Sequence, residues 1–177
     1  MTVQALRSRR PETLAELLDA HGREIQAVAF LILRDRHLAE DVTIETLLTA
    51  FEKAGSIRDD SALRAWLLRV ATNQALTMRR RSARIVELSV VPDPIGPGDL
   101  ARDASDRVAL LAGVAGLPVQ MRAAVVLRYY ADLPVEEVAR ALGKSPNTIK
   151  AQLQTALERL RRVLSDPAVV AAETRHA

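Results

Sequence analysis

Large apolar residues recur with helical spacing along the first half of the chain. Within residues 37–53, four of them fall at i, i+3, i+4 and i+7 and form one stripe: Ile44, Leu47, Leu48 and Phe51. This spacing predicts a helix, which Gly55 is placed to end. The same spacing returns in Leu63, Trp66, Leu67 and Val70, after N-cap oxygens from Asp59, Asp60 and Ser61. Leu68 and Leu76 lie on the other side of this helix, which is therefore expected to pack on two faces.

Two shorter predicted helices precede these. Pro11 suits the first turn of a helix that we expect to end near Gly22, and an apolar-rich helix follows to about Leu33. The four helices together predict a compact bundle over residues 1–85. Its last helix ends in a basic cluster, Arg79, Arg80, Arg81 and Arg84. At its helical spacing, Trp66 is expected in the core rather than as a platform for stacked bases.

The second half of the chain carries the pattern of a helix-turn-helix. Helices are predicted over residues 117–130, 134–142 and 146–164, and the turn Gly143-Lys144-Ser145 joins the last two. The hydroxyl of Ser145 can cap the final helix, and Pro146 fits its first turn. The pattern therefore predicts a helix-turn-helix domain over residues 107–166.

A connector of different composition separates these halves. Residues 86–106 are rich in proline and glycine, which exclude a continuous helix or strand, and they carry a net charge of −4. The flanking parts, 1–85 and 107–177, carry +3 and +4. We therefore expect an all-α protein of two small helical domains joined by a flexible acidic linker, followed by a tail over 167–177.

Composition narrows the class of protein further. The length of 177 residues suits one globular domain or two very small ones, and the pI near 9.8 reflects an excess of arginine that suits a polyanionic partner. Cysteine is absent, which excludes disulfides and thiol nucleophiles and suits a reducing cytoplasm. The longest apolar run, 27–33, is too short to cross a membrane, and we see no export signal.

The final predicted helix has a face suited to reading DNA. One side carries the expected anchoring residues Ile149, Leu153, Ala156, Leu157 and Leu160. On the other side, Asn147 and Gln154 have the paired donor and acceptor that an adenine edge requires, and Lys150 can contact phosphate. The alternative is an ordinary solvated polar face. The basic cluster that ends the fourth helix likewise has two interpretations, nucleic-acid contact or a hydrated helix end.

Two motif blocks carry a resemblance to a known family. The segment HLAEDVTIETLLTAFEKAGSIRDDSALRAWLLRVATNQAL resembles the first promoter-binding domain of the extracytoplasmic-function group of bacterial sigma factors, in the sigma-70 family. The segment LPVQMRAAVVLRYYADLPVEEVARALGKSPNTIKAQLQTALERLRRVL is similar to the second domain of that group. Their order and the linker between them also fit the group.

The resemblance implies a cytoplasmic, non-enzymatic subunit that binds core RNA polymerase and directs it to promoters, with an anti-sigma factor as a further partner. It implies that Asp41 and Glu45 meet the polymerase. It implies minus-ten DNA contacts for the loop 56–61 and for Arg64, Asn73, Arg79 and Arg80. It implies minus-thirty-five contacts for the helix after Ser145, through Asn147, Thr148, Lys150 and Gln154.

The chain departs from the group's usual pattern at several positions. Ile44, Leu47 and Thr77 stand where the group usually has Gln, Phe and Asp. In the final helix, Ala151, Gln152 and Thr155 stand where a Ser and two Arg are expected. These changes leave open a different promoter preference, or a sigma-like scaffold that reads DNA weakly. A self-sufficient helix-turn-helix regulator is the other alternative.

No pattern in the chain indicates an enzyme, a metal site or a cofactor. His21, His37 and His176 lie in separate, mostly polar contexts, and no glycine-rich phosphate loop is present in the sequence. We therefore assign no catalytic residue, no metal ligand and no cofactor.

Overall fold

The computed structural model describes residues 3–8, 10–86 and 103–165, and all regular secondary structure in these ranges is helical. The α-helices are α1 (Val3–Arg7), α2 (Pro11–Leu17), α3 (Arg23–Leu33), α4 (Arg36–Glu52), α5 (Asp60–Val86), α6 (Asp103–Gly116), α7 (Val119–Val125), α8 (Val135–Leu142) and α9 (Pro146–Leu164). This confirms the predicted all-α class. Most of the predicted linker and all of the predicted tail lie outside the described residues. Helix α6 begins at Asp103, before the predicted end of the linker at residue 106.

The chain does not break at Gly22, and the prediction that a helix ends there is wrong. A π-helical turn, Leu18–Gly22, joins α2 to α3 in one continuous helical segment, in which Gly22 keeps right-handed helical torsion angles. A Cβ atom at Gly22 would lie 2.6 Å from Cδ1 of Leu18, so glycine makes room for that side chain. This helical segment ends at Leu33, as predicted, because Arg34 adopts a left-handed conformation with φ of 60°.

Helices α3, α4 and α5 pack against one another and form the core of the first region. Only half of the apolar stripe predicted on α4 packs inward: Leu47 is buried and Phe51 packs partly buried against the core, whereas Ile44 is 59% exposed and Leu48 is 47% exposed. The buried side of α4 consists of mostly small residues, Ala39, Val42, Thr43, Thr46, Leu47 and Ala50. Small side chains let α3 and α5 approach α4 closely. Two large apolar side chains are thereby left on the surface.

The second region is a helix-turn-helix supported by two further helices. A π-helical turn, Val126–Tyr130, extends α7, and α8 and α9 follow on either side of Gly143, whose φ of 61° ends α8. Helix α9 packs on α6, α7 and α8. Four of its five predicted anchoring residues are buried: Ile149, Leu153, Ala156 and Leu160. The fifth, Leu157, is half-buried.

The two regions contact each other, mainly where α5 meets α8 and where α3 meets the turn after α7. The Arg122 guanidinium on α7 is buried there. It donates to the carbonyl of Ile32 on α3 at 2.8 Å, and to those of Ala115 and Leu117 in its own region at 2.5 and 3.0 Å. Burial, together with the nearby Arg34 and Arg79, lowers the pKa of Arg122. A charged side chain is thus held between the regions by backbone oxygens.

Candidate nucleic-acid interface

An open groove of about 560 Å³ runs between α4 and α5 on the first region. Its lining residues come from both helices and from the connection between them: Glu45, Thr49, Lys53, Ser56, Trp66, Arg69, Val70, Asn73, Gln74, Thr77, Met78 and Arg81. An aromatic ring, side-chain amides, cations and one carboxylate, that of Glu45, therefore share one depression. Unpaired bases stack on aromatic rings and bond to amides, while cations contact phosphates. The groove has the chemistry of a single-stranded nucleic-acid site.

Hydrogen bonds from α4 fix one wall of this groove. The buried hydroxyl of Thr46 donates to Oε1 of Gln74 on α5 at 2.7 Å, and Nε2 of Gln74 donates to Oγ1 of Thr49 at 3.4 Å. These bonds cross between the helices and set the register of α5 against α4. The neighbouring Asn73 is exposed at the groove and is available to a ligand.

The structure brings together only some of the residues predicted to contact minus-ten DNA. Asn73 lines the groove, and Arg79 and Arg80 follow it on α5 as exposed side chains. The side chain of Arg84, the last residue of the predicted basic cluster, lies outside the described residues. Lys53 and Arg69 also line the groove, although neither was predicted as a site residue. Arg69 lies one helical turn before Asn73, and this spacing could have revealed it.

Arg64 lies elsewhere, at the contact between the two regions. Its guanidinium is paired with Glu24 on α3 and donates to the carbonyl of Ala131 in the second region at 2.6 Å. Arg64 is not among the residues that line the groove. Its contact with DNA therefore stays a prediction.

The loop that enters α5 is held by a carboxylate cap. Oδ1 of Asp59 accepts the Ser61 hydroxyl at 2.6 Å and the Ala62 N–H at 3.0 Å. Both bonds favour the ionised carboxylate, so they lower the pKa of Asp59 from its ordinary 3.8. The predicted N-cap at this position is confirmed.

The first turns of α9 present the predicted DNA-reading residues to solvent. Oγ of Ser145 accepts the Thr148 N–H at 3.1 Å, which confirms the predicted cap. Beyond it, Asn147, Lys150 and Gln154 are all exposed. Nε2 of Gln154 also donates to Oε1 of Glu158 at 3.3 Å. The end of α9 that a helix-turn-helix inserts into the major groove is therefore open to a ligand.

A second cationic depression lies beside this face, between α9 and the turn after α7. Arg128, Lys150 and Arg161 surround it, and Tyr129 and Gln154 are also part of its lining. The Arg128 guanidinium lies 5.8 Å from the centre of the Tyr129 ring. Neither Arg128 nor Tyr129 is predicted from the sequence, because a basic residue beside a tyrosine is a weak signal. These side chains add positive charge next to a face of α9 that is itself poor in cations.

The two predicted polymerase-binding residues, Asp41 and Glu45, are exposed one turn apart on α4. The exposed apolar residues Ile44 and Leu48 lie on the same face, at positions three residues after each. This face therefore combines acidic and apolar character. A basic amphipathic helix has the complementary character.

The described ranges contain no cluster of His, Cys, Asp or Glu that could hold a metal ion. Among those ranges, no helix is both long enough and apolar enough to cross a bilayer.

Comparison with known proteins places both regions. The family described as Sigma-70 region 2 matches residues 17–85, and Sigma-70, region 4 matches residues 107–160. The ECF RNA polymerase sigma factor SigL of Mycobacterium tuberculosis is 32% identical over 157 residues, which cover 85% of this chain and 88% of that protein. The chain belongs to the extracytoplasmic-function sigma factors. It is accordingly a promoter-directing sigma factor.

Other relatives of this sigma factor agree in sequence and in fold. SigM of M. tuberculosis is 31% identical over 149 residues, which cover 84% of the chain and 76% of SigM. Among solved structures, the sigma factor RpoE in complex with the anti-sigma factor NepR, from Bartonella quintana, aligns with a TM-score of 0.74. That alignment covers 86% of this chain and 97% of RpoE at 24% identity. It shows a shared fold.

Proposed function

We propose that this sigma factor is a cytoplasmic, non-enzymatic subunit that binds core RNA polymerase and reads two promoter elements with two separate surfaces. Residues 1–85 bind polymerase through the face of Asp41 and Glu45, and take up minus-ten DNA in the groove between α4 and α5. Residues 107–166 read the minus-thirty-five element with the start of α9. An anti-sigma factor is a further proposed partner, since RpoE was solved with one.

The observation that carries this proposal is the chemistry of the α4–α5 groove. Trp66, Asn73 and the cations Lys53, Arg69 and Arg81 meet in one open depression. Trp66, which its spacing predicts in the core, packs against the core only half-buried and also lines this depression beside the exposed Asn73 and Arg81. A single-stranded DNA segment, with stacked bases and charged phosphates, uses all three kinds of group.

The proposed division of labour also has a thermodynamic basis. The outward face of α9 carries few cations, so few counterions are released when it binds DNA, and its own affinity is expected to be low. In the holoenzyme, the region that contains α9 is joined to the first region and to polymerase. Once one region binds its promoter element, the effective concentration of the other region at its own element is raised. Weak recognition by α9 is therefore compatible with specific promoter use.

The test is reconstitution with core RNA polymerase, followed by transcript mapping on genomic DNA. The proposal predicts a stable holoenzyme that starts transcription at a restricted set of sites. Asn147→Ala should weaken use of those promoters by about fivefold or more for a lost base contact. Lys150→Ala should weaken it through a lost phosphate contact. Arg23→Ala, at an exposed position on α3, serves as the control and should change nothing.

Three outcomes would redirect the proposal. Failure of the chain to displace another sigma factor from core polymerase would refute it. A DNA shift by the chain alone, without polymerase and with strong salt dependence, would favour a self-sufficient regulator. Normal polymerase binding with no effect of the α9 variants would favour a scaffold that does not read the distal element.

A further inference from the structure

Helix α1 lies ahead of the span matched by Sigma-70 region 2, which begins at residue 17. It nevertheless packs into the first region, because Val3 is 3% exposed and Leu6 is fully buried. Its contacts are with α2, with α4 and with the turn Ala54–Ser56 that follows α4. An element outside the matched span is thus part of the same core.

Three hydrogen bonds tie α1 to the connection between α4 and α5. The Arg7 guanidinium donates to the carbonyl of Ile57 at 2.7 Å and, more weakly, to that of Ala54 at 3.5 Å. The Val3 N–H donates to Oδ1 of Asp60 at 2.6 Å. The connection is therefore held near its start, at its middle and where α5 begins.

The same connection forms part of the α4–α5 groove. Lys53 and Ser56 line that groove, while Ala54 and Ile57, which alternate with them, are buried. One side of the connection thus faces the groove, and its backbone carbonyls are held by Arg7 from α1. Loss of the Arg7 hydrogen bonds would therefore let the groove wall that carries Lys53 and Ser56 move.

We propose that α1, through Arg7, positions the connection 53–60 so that it can hold melted promoter DNA. Arg7 is a positioning residue in this proposal and does not itself touch DNA. The proposal rests on the proposed function of the groove. It predicts that removing the hydrogen bonds of Arg7 to Ala54 and Ile57 weakens binding of the minus-ten strand and leaves polymerase binding unchanged.

The test uses holoenzyme assembled from core polymerase and the full chain, on a promoter found by the transcript mapping above. The probe is a fork-junction DNA of that promoter whose minus-ten strand is single-stranded. Arg7→Gln should weaken binding of this probe by about threefold to tenfold, the range expected for a lost side-chain hydrogen bond. Competition for core polymerase against the unmodified chain should be unchanged.

Three controls separate positioning from general destabilisation. Arg10→Gln changes a nearby exposed arginine and should behave like the unmodified chain. Arg7→Lys keeps the charge and can still reach one carbonyl, so it should recover part of the binding. In hydrogen exchange, Arg7→Gln should speed exchange of the Ser56 and Ile57 amides, which bond to Lys53 and Ala54, without affecting α3.

The outcomes distinguish this proposal from the function on which it rests. If the unmodified holoenzyme does not bind the fork probe, the proposed function of the groove fails. If it binds and Arg7→Gln equals Arg10→Gln, the positioning role is refuted. A loss of core binding in parallel with fork binding would also refute it, since that pattern means general destabilisation. If Arg7→Gln does not fold, Arg7→Lys is compared with Arg10→Gln in the same two binding assays.

Discussion

Replacing Arg122 by methionine tests whether the buried guanidinium is a net stabilising contact. It is 6% exposed and donates to three backbone carbonyls, and no carboxylate pairs with it among the described ion pairs. Methionine has a similar length and removes both the charge and the donors. The carbonyls of Ile32, Ala115 and Leu117 would then lose this partner.

The expected magnitude follows from two opposing effects. Hydrogen bonds to a charged group contribute roughly 1.5–3 kcal/mol each, but burying an uncompensated charge costs several kcal/mol. The lowered pKa of Arg122 shows that its site disfavours the charge, so part of the gain is offset. With three acceptors left unpaired, we expect Arg122→Met to lower the free energy of unfolding by about 2–4 kcal/mol.

Urea denaturation followed by circular dichroism measures this change, with the exposed Arg159 replaced by methionine as a control. Because one bond of Arg122 crosses between the regions, the same variant should also lower energy transfer between dyes on the two regions. The chain has no cysteine, so Glu16→Cys with Lys144→Cys gives one label on each region. A loss of stability below about 0.5 kcal/mol, with unchanged energy transfer, would refute the reasoning.

Three further predictions concern other sites. Ser145→Ala removes the cap of α9 and should cost about 1 kcal/mol in thermal unfolding, whereas Ser145→Asp should retain the cap. Burial lowers the pKa of His21 below 6.5, so the unfolded chain takes up a proton first and the free energy of unfolding should fall as pH drops below 6.5. His21→Gln should reduce that slope, and an unchanged slope would contradict this explanation. Asp41→Arg should weaken core-polymerase binding about tenfold or more without changing stability, whereas the control Glu16→Arg should leave binding unchanged.

The elements that could be predicted from the sequence are those that local chemistry specifies. Ser145, Pro146 and the spacing of Ile149 and Leu153 define α9 without reference to the rest of the chain. The turn before it depends on Gly143, whose left-handed conformation suits glycine. In these places the cap, the turn and the apolar pattern agree, and the structure follows them.

The pattern was misleading where tertiary packing decides which face of a helix is buried. On α4 two large apolar residues, Ile44 and Leu48, are exposed, while the smaller Ala39, Thr46 and Ala50 are buried. A periodicity argument weighs side chains by hydrophobicity, but close packing of three helices favours small ones. The exposed pair lies beside Asp41 on the proposed polymerase-binding face, where a partner would cover it.

The partners of three arginines, Arg122, Arg64 and Arg7, could not be read from the sequence. Arg122 was not singled out, and Arg64 was assigned only to DNA, because an arginine's partners depend on which helices meet in space. Arg7 is a similar case, since its acceptors are backbone carbonyls about fifty residues away. Backbone acceptors have no sequence signature, so only the fold reveals such contacts.

Contact between the two regions has a consequence for promoter binding. Elements about 25 base pairs apart lie roughly 85 Å apart along B-form DNA, whereas a compact chain of this length is about 40 Å across. One body of that size does not reach both elements, so the proposed function requires the two regions to separate. The contact must therefore be weak enough for polymerase and DNA to displace.

The described side-chain hydrogen bonds that cross between the regions come from two arginines, Arg64 to Ala131 and Arg122 to Ile32. Separating the regions costs less free energy at an arginine contact than at an apolar contact, because water takes the place of the carbonyl acceptors. Separation releases Nη2 of Arg64 from Ala131, whereas the ion pair with Glu24 lies within the first region and stays. A DNA phosphate, the contact that the family resemblance implies for Arg64, would then compete with Glu24 for the guanidinium. Arg64 cannot donate the same N–H groups fully to Ala131 and to DNA. The predicted contact of Arg64 with promoter DNA would therefore require the regions to separate.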